Sequence, residues 1–362
     1  MGPAYPVAVA TRGLPEQSMA QPLITVIVPA FNAASTLRES VESALKGSYK
    51  NVEIIVVDDG STDATSEIAE ALSAQNTRVS LHRRQNGGVS AALNSSLALA
   101  RGEYVARLDA DDLWHPAKLE RQMEAARRNP AAALIYTWVR YIDAESRVHR
   151  DGPPQRFPPR ALCRGIYESL VGGNSSVLMR RDVVRELGGY DETLSSWEDL
   201  LLQLRISADH VIDHVPEYLV GYRVRPGSLS ARPDNMLASW RKARSRIDAL
   251  FPQVPGFVRD WAHGRRCAEL AEGFAWKGEY RRSAGLLAEA LLHDPRWTSE
   301  WLAFRSWLFV SRRAFKRGTA ATDARFLDCD PRKEALPSKN LLTALQDSRI
   351  ATLTRLDEEL AR

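Results

Sequence analysis

The sequence has few cysteines and no long apolar run. Its three cysteines, Cys163, Cys267 and Cys329, are too few and too scattered for a disulfide framework or a CxxC metal site. No segment approaches the about 20 consecutive apolar residues that cross a bilayer, and the N-terminus lacks the basic and apolar stretches of a secretion signal. The sequence therefore predicts a cytoplasmic protein rather than a disulfide-stabilised secreted domain or an integral membrane protein.

Motifs that mark several common enzyme classes are also missing. There is no GxGxxG, the glycine-rich turn of dinucleotide-binding dehydrogenases, and no GxxxxGK[ST], the phosphate-binding loop of many NTPases. The histidines show no HExxH or similar ligand spacing, which disfavours a histidine-based metal centre. Nucleic acid is a poor candidate partner, because no recognition motif accompanies the basic residues.

The composition is that of a globular protein with an uneven charge distribution. With 362 residues, 44% of them hydrophobic, the chain can bury one large core or two smaller ones. Residues 241–330 carry seventeen Lys and Arg against eleven Asp and Glu. This excess suggests an anionic partner such as a membrane surface, although solvated helix faces produce the same imbalance.

Strand-like and helix-like segments alternate along the first two thirds of the chain. Apolar β-branched runs separated by segments of helical spacing predict βαβ units, and hence a mostly parallel sheet covered by helices. Strand patterns end near residue 230, after which Trp, Arg, Ala and Leu recur at helical spacing. The sequence therefore predicts a flexible tail at 1–21, an α/β domain at 22–232 and a helical region at 235–362.

Polar or glycine-rich turns follow each of four predicted strands. Because ligands bind beyond the carboxyl ends of parallel strands, we expect these turns to line one site. A carboxylate at a strand end can accept a hydrogen bond from a base or a ribose, although Asp-Gly turns and helix caps use the same residues. The candidates for nucleotide binding are Pro29, Ala30, Phe31, Asn32, Asp58, Asp59, Asn86, Gly87 and Asp109.

The segment ARLDADD places three aspartates within four positions after the fourth strand. Side chains two apart on an extended segment face the same way, so Asp109 and Asp111 can converge on one point. Their hard oxygens suit Mg²⁺ or Mn²⁺, which keeps coordination positions for water and ligand phosphates. The alternative is that Asp111 and Asp112 cap the helix beginning near His115 and Pro116; capping explains one aspartate well, but not all three.

Five segments resemble the family 2 inverting glycosyltransferases of the GT-A fold: VIVPAFNA, VVDDGSTD, NGGVSAALN, GEYVARLDADD and WEDLLLQLRIS. The resemblance covers residues 22–230. It implies a Rossmann-like mixed sheet flanked by helices, and an enzyme that moves one sugar from a nucleotide-diphosphate sugar, most simply a UDP-sugar, to an acceptor hydroxyl. A role in cell-surface polysaccharide or glycoconjugate synthesis is the corresponding expectation.

The resemblance also assigns roles to single residues. It places Pro29, Phe31 and Asn32 in the nucleotide pocket and Asp59 on the base. It makes Asp109 and Asp111 the DxD pair, with Asp111 the main ligand of Mn²⁺ or Mg²⁺.

Three departures from the family pattern stand out. Leu93 occupies a position where many relatives carry an arginine, and we hypothesise that Arg107 supplies the missing charge. Arg225 stands where relatives often have a histidine near the metal, so an arginine on the diphosphate or a sparser metal shell is expected. The Gln-x-x-Arg-Trp motif of processive synthases is absent, which favours the transfer of one sugar per encounter.

Inverting transfer needs a base on the acceptor hydroxyl, held away from the metal. Glu198 and Asp199 stand together at a predicted helix start, where stabilising the helix dipole is the alternative role. The resemblance assigns the base to Asp199, with Glu198 as an orienting or acceptor-binding residue. Trp197 can stack on a sugar and Asn174 can line the acceptor side, although packing and turn formation are their alternatives.

The helical region has two segments of note. Residues 265–297 resemble a single tetratricopeptide-type helical pair, with small residues at Ala268, Ala271 and Ala284. Residues 297–317 mix aromatic and basic side chains, which suits an anionic membrane surface as well as a core helix with a basic outer face. Because every candidate catalytic residue precedes 230, we expect this region to determine where the protein works.

A non-catalytic protein that binds sugar nucleotides, with the helical region as its interaction module, is the alternative function. Intact Asp111 and Asp199 favour the enzyme, because a protein that only binds its ligand needs no base. The predicted partners are therefore a nucleotide-sugar donor and a saccharide, lipid-linked or protein acceptor, with peripheral membrane contact through the basic C-terminal helices.

Overall fold

In the part of the chain that the structure describes, nine strands form one mixed β-sheet. The structure is a computed structural model and describes residues 21–225, 228, 232–296, 298, 302, 324–333 and 343–361. The strands are β1 (Ile24–Ala30), β2 (Val52–Asp58), β3 (Val79–Arg83), β4 (Tyr104–Arg107), β5 (Leu113–Trp114), β6 (Ala132–Ile142), β7 (Val148–Asp151), β8 (Leu178–Arg180) and β9 (Val211–Arg223). Their spatial order is β3-β2-β1-β4-β8-β6-β9-β5, and β7 pairs with β6.

Helices connect and cover these strands. They are α1 (Leu37–Leu45), α2 (Thr65–Gln75), α3 (Val89–Leu99), α4 (Lys118–Arg128), α5 (Leu162–Glu168), α6 (Arg181–Glu186), α7 (Glu198–Asp209), α8 (Pro233–Leu250), α9 (Gly256–Trp276), α10 (Tyr280–His293) and α11 (Thr343–Leu360). Short 3₁₀ turns occur at Asn174–Ser176 and Phe326–Asp328. None of the helices within the described residues has the length and apolar composition needed to span a membrane.

The four strands predicted from the N-terminal part form the parallel half of the sheet. β1 lies between β2 and β4, and β3 flanks β2, all in parallel. Ala30 and Asp58 are register partners at the last positions of β1 and β2. The Asp59 N–H then donates to the Ala30 carbonyl over 2.9 Å, so the turns that follow the strands meet at one edge. The predicted α/β fold with a mixed sheet is confirmed.

The second half of the sheet departs from the predicted pattern. The short strands expected between 211 and 223 form the single 13-residue strand β9. Its pairing with β6 passes from Val215 to Tyr218 while β6 advances from Thr137 to Trp138, so Pro216 lies in a register shift. A proline is tolerated there because it has no ladder hydrogen bond to donate. The short elements β5, β7 and α5 were not predicted.

The C-terminal helices complete the hydrophobic core of the sheet domain. The predicted all-α C-terminal region is confirmed in the described part, and a domain boundary near residue 235 remains a prediction. However, residues of α8, α9 and α11 are buried in the same cluster as residues of α5 and α7, so the packed core continues across that boundary. The cluster includes Leu162, Tyr167, Leu200, Leu204, Trp240, Ile247, Val258 and Leu353.

Helices α9 and α10 cover most of the segment 265–297 and pack against each other. Ala268, Ala271 and Phe274 of α9 pack against Leu286 and Ala290 of α10 in a small separate cluster. The register of α10 differs from the tetratricopeptide-like pattern, and Ala284 is exposed. The predicted tail at 1–21 and the segment 297–317 lie almost entirely outside the described residues.

A segment distant in sequence packs against the edge of the sheet. Phe326 is fully buried with Leu113, Ile142 and Val148. Its ring atoms lie 3.1 Å from the point that a Cβ on Gly221 would occupy, so a larger residue at this position would crowd the ring. Residues 324–333 therefore form part of the wall that supports β5 and β9.

We expect Phe326→Ala to lower the free energy of unfolding by about 3–5 kcal/mol, because it leaves a cavity beneath the sheet. Leu327→Ala is the matched control, since this neighbouring side chain is 43% exposed. Urea denaturation of both variants tests the prediction. Equal midpoints for the two variants would show that the segment does not contribute to the core.

Candidate active site

The turns after β1 and β2 hold each other in place. Asn32 has a positive φ of 48°, and its Oδ1 accepts a hydrogen bond from the Thr62 N–H over 2.9 Å. The Asp58 carboxylate accepts from the Ser61 N–H over 3.0 Å, which is the turn-capping role considered for it. Phe31, by contrast, directly follows β1 and is 51% exposed. Phe31 is thus free to contact a ligand, whereas Asn32 and Asp58 shape the turns, with Pro29 and Ala30 ending β1 behind them.

Asp59 organises the loop that follows β3. Its carboxylate accepts from the N–H groups of Gly87 (3.1 Å) and Gly88 (2.7 Å) and forms an ion pair with Arg84 Nε over 3.3 Å. The Arg84 Nη1 atom is buried and has no hydrogen-bond partner among the described residues. Asn86 is exposed on the same loop. Asp59 and Arg84 therefore present an acceptor beside a donor at the predicted base pocket.

The three aspartates of the DADD segment lie in a tight turn after β4, closed by the Asp112 N–H donating to the Asp109 carbonyl over 3.0 Å. Asp112 is buried and accepts from the Ser175 hydroxyl over 2.6 Å and from the Arg223 N–H over 2.9 Å. Burial, together with Asp111 and Asp109, raises the pKa of Asp112 well above its ordinary value. Asp112 is therefore a structural residue, and Asp109 and Asp111 remain partly exposed.

Ser175 is a site residue that sequence analysis missed. Besides binding Asp112, its hydroxyl oxygen accepts from the Asp109 N–H over 3.0 Å, and its carbonyl accepts from Trp114 Nε1 over 2.8 Å. The 3₁₀ turn thus brings the neighbouring Asn174 to the DADD turn. The Asn174 Oδ1 atom is buried without a hydrogen-bond partner among the described residues, which suits the predicted acceptor contact.

A buried arginine connects the two acidic groups of the site. Arg107, at the end of β4, donates from Nε to Asp109 over 2.7 Å and from Nη1 to Glu198 over 3.0 Å. The only signal in the sequence was a lone charge within the apolar strand YVAR. Leu93 packs in the core, so the family's arginine has no counterpart at that position. The hypothesis that Arg107 supplies the missing charge remains a prediction, and its guanidinium is engaged by two carboxylates.

Glu198 and Asp199 begin α7 in different environments. Burial and the neighbouring Asp199 raise the pKa of Glu198 to about 7, while Arg107 opposes this rise. Asp199 is partly buried, and within the described residues no hydrogen bond or ion pair engages its carboxylate. Of the pair, Asp199 is the carboxylate with free acceptor capacity, as a base requires.

The aromatic side chain next to this pair is packed against the C-terminal helices. Trp197 has a positive φ of 67°, and its indole N–H donates to the Met236 carbonyl over 3.1 Å. Its ring meets Trp240 edge-on at 5.4 Å and lies under the Arg266 guanidinium at 5.2 Å. The contacts thus favour the packing role for Trp197, and its stacking on a sugar remains a prediction.

The residues of the DADD turn fit a divalent cation in their chemistry. Mg²⁺ and Mn²⁺ accept one or two protein carboxylates and complete their shell with water and phosphate oxygens. Asp109 and Asp111 offer such oxygens on one turn, with side chains 22% and 21% exposed. Burial and Asp109 raise the pKa of Asp111, and the ion pair with Arg225 opposes this rise. Asp109 is held by the buried Arg107, whereas the partner of Asp111 is the partly exposed Arg225, so Asp111 is the carboxylate that can be released more readily to a metal ion.

A second cluster of metal-ligating types lies in the helical region. His263 Nε2 is 2.8 Å from Glu289 Oε1 and 3.5 Å from Cys267 Sγ. However, Trp240 Nε1 donates to His263 Nδ1 over 3.1 Å, so the single proton of the neutral ring sits on Nε2. Nε2 then donates to Glu289 and cannot bind a metal. This cluster is a hydrogen-bond relay that joins α8, α9 and α10.

Comparisons with known proteins point to one family. Residues 25–188 match the family described as glycosyl transferase family 2. An uncharacterized glycosyltransferase of Rickettsia typhi is 31% identical over 233 residues, which cover 62% of this chain and 71% of that protein. The glycosyltransferase GlyG of Streptococcus pneumoniae is 37% identical over 128 residues, or 35% of this chain and 42% of that protein.

Solved structures share the fold at low sequence identity. TarS of S. aureus in complex with UDP-GlcNAc is 21% identical, with a TM-score of 0.56 over 76% of this chain and 82% of that one. The mannosyltransferase PcManGT of Pyrobaculum calidifontis, in complex with GDP-Man and Mn²⁺, is 19% identical, with a TM-score of 0.53 over 81% of both chains. These likenesses confirm the GT-A type of fold.

Proposed function

The chain belongs to glycosyl transferase family 2, and we propose that it moves one sugar from a UDP-sugar to an acceptor hydroxyl with inversion. The observation that carries this proposal is the arrangement around Arg107. One arm of its guanidinium binds Asp109 on the DADD turn, and the other binds Glu198 beside Asp199. A donor-binding group and a base are thereby held at a set separation, as a single displacement requires.

The base pocket supports uridine as the nucleoside. An acceptor beside a donor matches the ring N–H and an adjacent carbonyl of a uracil edge. The Asp59 carboxylate already receives two backbone N–H groups and the Arg84 ion pair, which leaves room for one further donor. A guanine edge offers two donors to the same carboxylate, so UDP fits better than GDP.

The donor's diphosphate is expected at the DADD turn. Asp111, with Asp109, would hold Mg²⁺ or Mn²⁺. When bound, this ion supplies Lewis-acid stabilisation of the leaving diphosphate. The protein's own contribution is to position the two carboxylates, through Arg107 on Asp109 and through the hydrogen bonds of Ser175 and Arg223 to Asp112.

Asp199 acts as the base. It takes the proton of the acceptor hydroxyl as the hydroxyl oxygen bonds to the anomeric carbon, and the bond to the diphosphate breaks on the opposite side. Glu198 is less suited to act as the base than Asp199, because Arg107 binds the Glu198 carboxylate. Asn174 is positioned to contact the acceptor, and its unpartnered Oδ1 offers the hydrogen-bond acceptor.

The wider biological role follows the sequence-based expectations. We propose that the protein acts in the cytoplasm in the synthesis of cell-surface polysaccharides or glycoconjugates. Its basic C-terminal region would contact an anionic membrane.

We expect UDP to raise the melting temperature in the presence of Mn²⁺ and to have little effect in EDTA, because the cation lets the acidic turn accept a diphosphate. At about 100 times its dissociation constant, UDP should add about 2.7 kcal/mol to the free energy of unfolding. Thermal-shift assays with UDP, GDP, CDP and ADP test both the ion and the base. Asp111→Asn is the matched variant and should lose the Mn²⁺ effect. Equal stabilisation by CDP, or by UDP in EDTA, would contradict the base assignment or the metal assignment respectively.

A further inference from the structure

Two arginines at the end of β9 are held very differently. The Arg223 side chain is 1% exposed and uses all five of its N–H donors. They bind the carbonyls of Asp111, Asp143 and Ala144, the Glu39 carboxylate and the Ser146 hydroxyl, at 2.7–3.1 Å. Arg223 is therefore a fixed connection that positions the DADD turn.

The Arg225 side chain is loosely held by comparison. It is 31% exposed, and among the described residues its guanidinium makes one ion pair, from Nη2 to Asp111 Oδ2 over 2.6 Å. Its Nε atom is buried without a hydrogen-bond partner in the described part of the chain. Arg225 can therefore leave Asp111 at the cost of a single ion pair, whereas Arg223 cannot move without breaking five hydrogen bonds.

The partner of Arg225 is the carboxylate that the proposed function assigns to the divalent cation. A guanidinium and a divalent cation on the same carboxylate repel each other even when each contacts a different oxygen, because their positive charges then lie within a few ångströms. A cation that arrives alone is therefore opposed by Arg225, or displaces it and leaves it partly buried without a partner. A diphosphate that arrives with the cation offers Arg225 a new bidentate contact.

We propose that Arg225 is an exchangeable counter-ion. It neutralises Asp111 in the free protein and passes to the donor diphosphate when the cation binds Asp111. This inference rests on the proposed function and adds that the cation and the nucleotide bind with strong positive coupling. The coupling is reciprocal, so UDP must raise the affinity for Mn²⁺ by the same factor as Mn²⁺ raises the affinity for UDP.

Calorimetric titration of the full chain with Mn²⁺, without and with saturating UDP, tests the exchange. In the wild type, UDP should raise the affinity for Mn²⁺ by about 10- to 100-fold, within the usual range of coupling. Arg225→Gln should bind Mn²⁺ alone about tenfold more tightly than the wild type, because the competitor is gone, and should bind UDP with Mn²⁺ about tenfold more weakly. Arg225→Lys keeps the charge without the bidentate fork, and both of its affinities should lie between those of the wild type and those of Arg225→Gln.

Arg180→Gln is the matched control. Arg180 is a partly exposed arginine paired with Asp182, and it lies opposite Tyr104 at the start of β4, away from the DADD turn. This variant should bind both ligands as the wild type does.

Equal affinities of the wild type and Arg225→Gln for Mn²⁺ alone would overturn the exchange. So would tight binding of UDP to the wild type in EDTA that is lost in Arg225→Gln, since Arg225 would then stand in for the cation. If UDP binds no variant under any condition, the proposed donor is wrong. In that case, the affinities of the wild type and Arg225→Gln for Mn²⁺ without UDP still decide whether Arg225 competes for Asp111.

Discussion

Asp199→Asn is expected to lower the rate of sugar transfer by about 10²- to 10⁴-fold, the usual contribution of a general base. Asparagine keeps the size of the side chain but cannot accept the proton of the acceptor hydroxyl. The DADD turn and the predicted base pocket are unchanged, so the affinity for UDP with Mn²⁺ should change little. Single-turnover transfer rates and UDP titrations on the same preparation separate the two effects.

Two control variants make this result interpretable. Asp209→Asn alters an exposed carboxylate at the other end of α7 and should leave transfer unchanged. Glu198→Gln removes the negative charge that faces Arg107, so it should disturb the geometry and lower transfer less than Asp199→Asn. Near-normal transfer by Asp199→Asn together with inactivity of Glu198→Gln would reassign the base to Glu198. If neither Asp199→Asn nor Glu198→Gln lowers the rate of transfer, both carboxylates only stabilise the start of the helix.

Truncation after residue 232 is expected to unfold the remaining domain, contrary to the expectation that the helical region affects only where the protein works. Trp240, Ile247, Val258 and Leu353 are buried in the main core cluster. Exposing the surfaces they cover costs about 1.5–3 kcal/mol for each large side chain, against a total stability of about 5–15 kcal/mol.

Hydrogen bonds from the C-terminal helices add to this dependence. Asp357 of α11 accepts from the N–H groups of Cys163 (2.6 Å) and Arg164 (3.2 Å) at the start of α5. The Met236 carbonyl of α8 accepts from the Trp197 indole. Removing these acceptors leaves buried donors unpaired, which is costly in itself.

Circular dichroism melting of the fragment 21–232 tests this prediction, with the fragment 21–362 as the control that keeps every core residue named here. The longer fragment should melt cooperatively and bind UDP with Mn²⁺, and the shorter one should do neither. Cooperative melting and full UDP affinity of the shorter fragment would establish the boundary near residue 235 as a true domain boundary.

Much of the parallel half of the fold was predictable, because its signals are local. The apolar runs that became β1, β2 and β4 and the helical spacing between them are read within windows of a few residues. The polar turns at the strand ends follow from the rule that parallel strands share one ligand-binding edge. For this reason Asp59, Asp109 and Asp111 could be nominated before any contact was known.

The contacts that assign roles within the site join residues far apart in sequence. Arg107 and Glu198 are 91 positions apart, and the Arg223 backbone N–H bonds to Asp112 across 111 positions. No local pattern encodes such pairs. The sequence-based alternatives for Asp112 and Trp197 therefore stayed open, and their observed contacts are with Ser175 and with the C-terminal helices.

The sequence by itself determined the class of fold, the edge of the sheet that holds the site, and the residue types available there, since each depends on local periodicity and on strand direction. Only the tertiary structure decided which carboxylates are paired. Arg107 engages Asp109 and Glu198, Arg225 engages Asp111, and no side chain in the described part of the chain pairs with Asp199. The physical reason is that the availability of a charge depends on the neighbours that chain folding brings to it, and these neighbours come from β4, α7 and the end of β9.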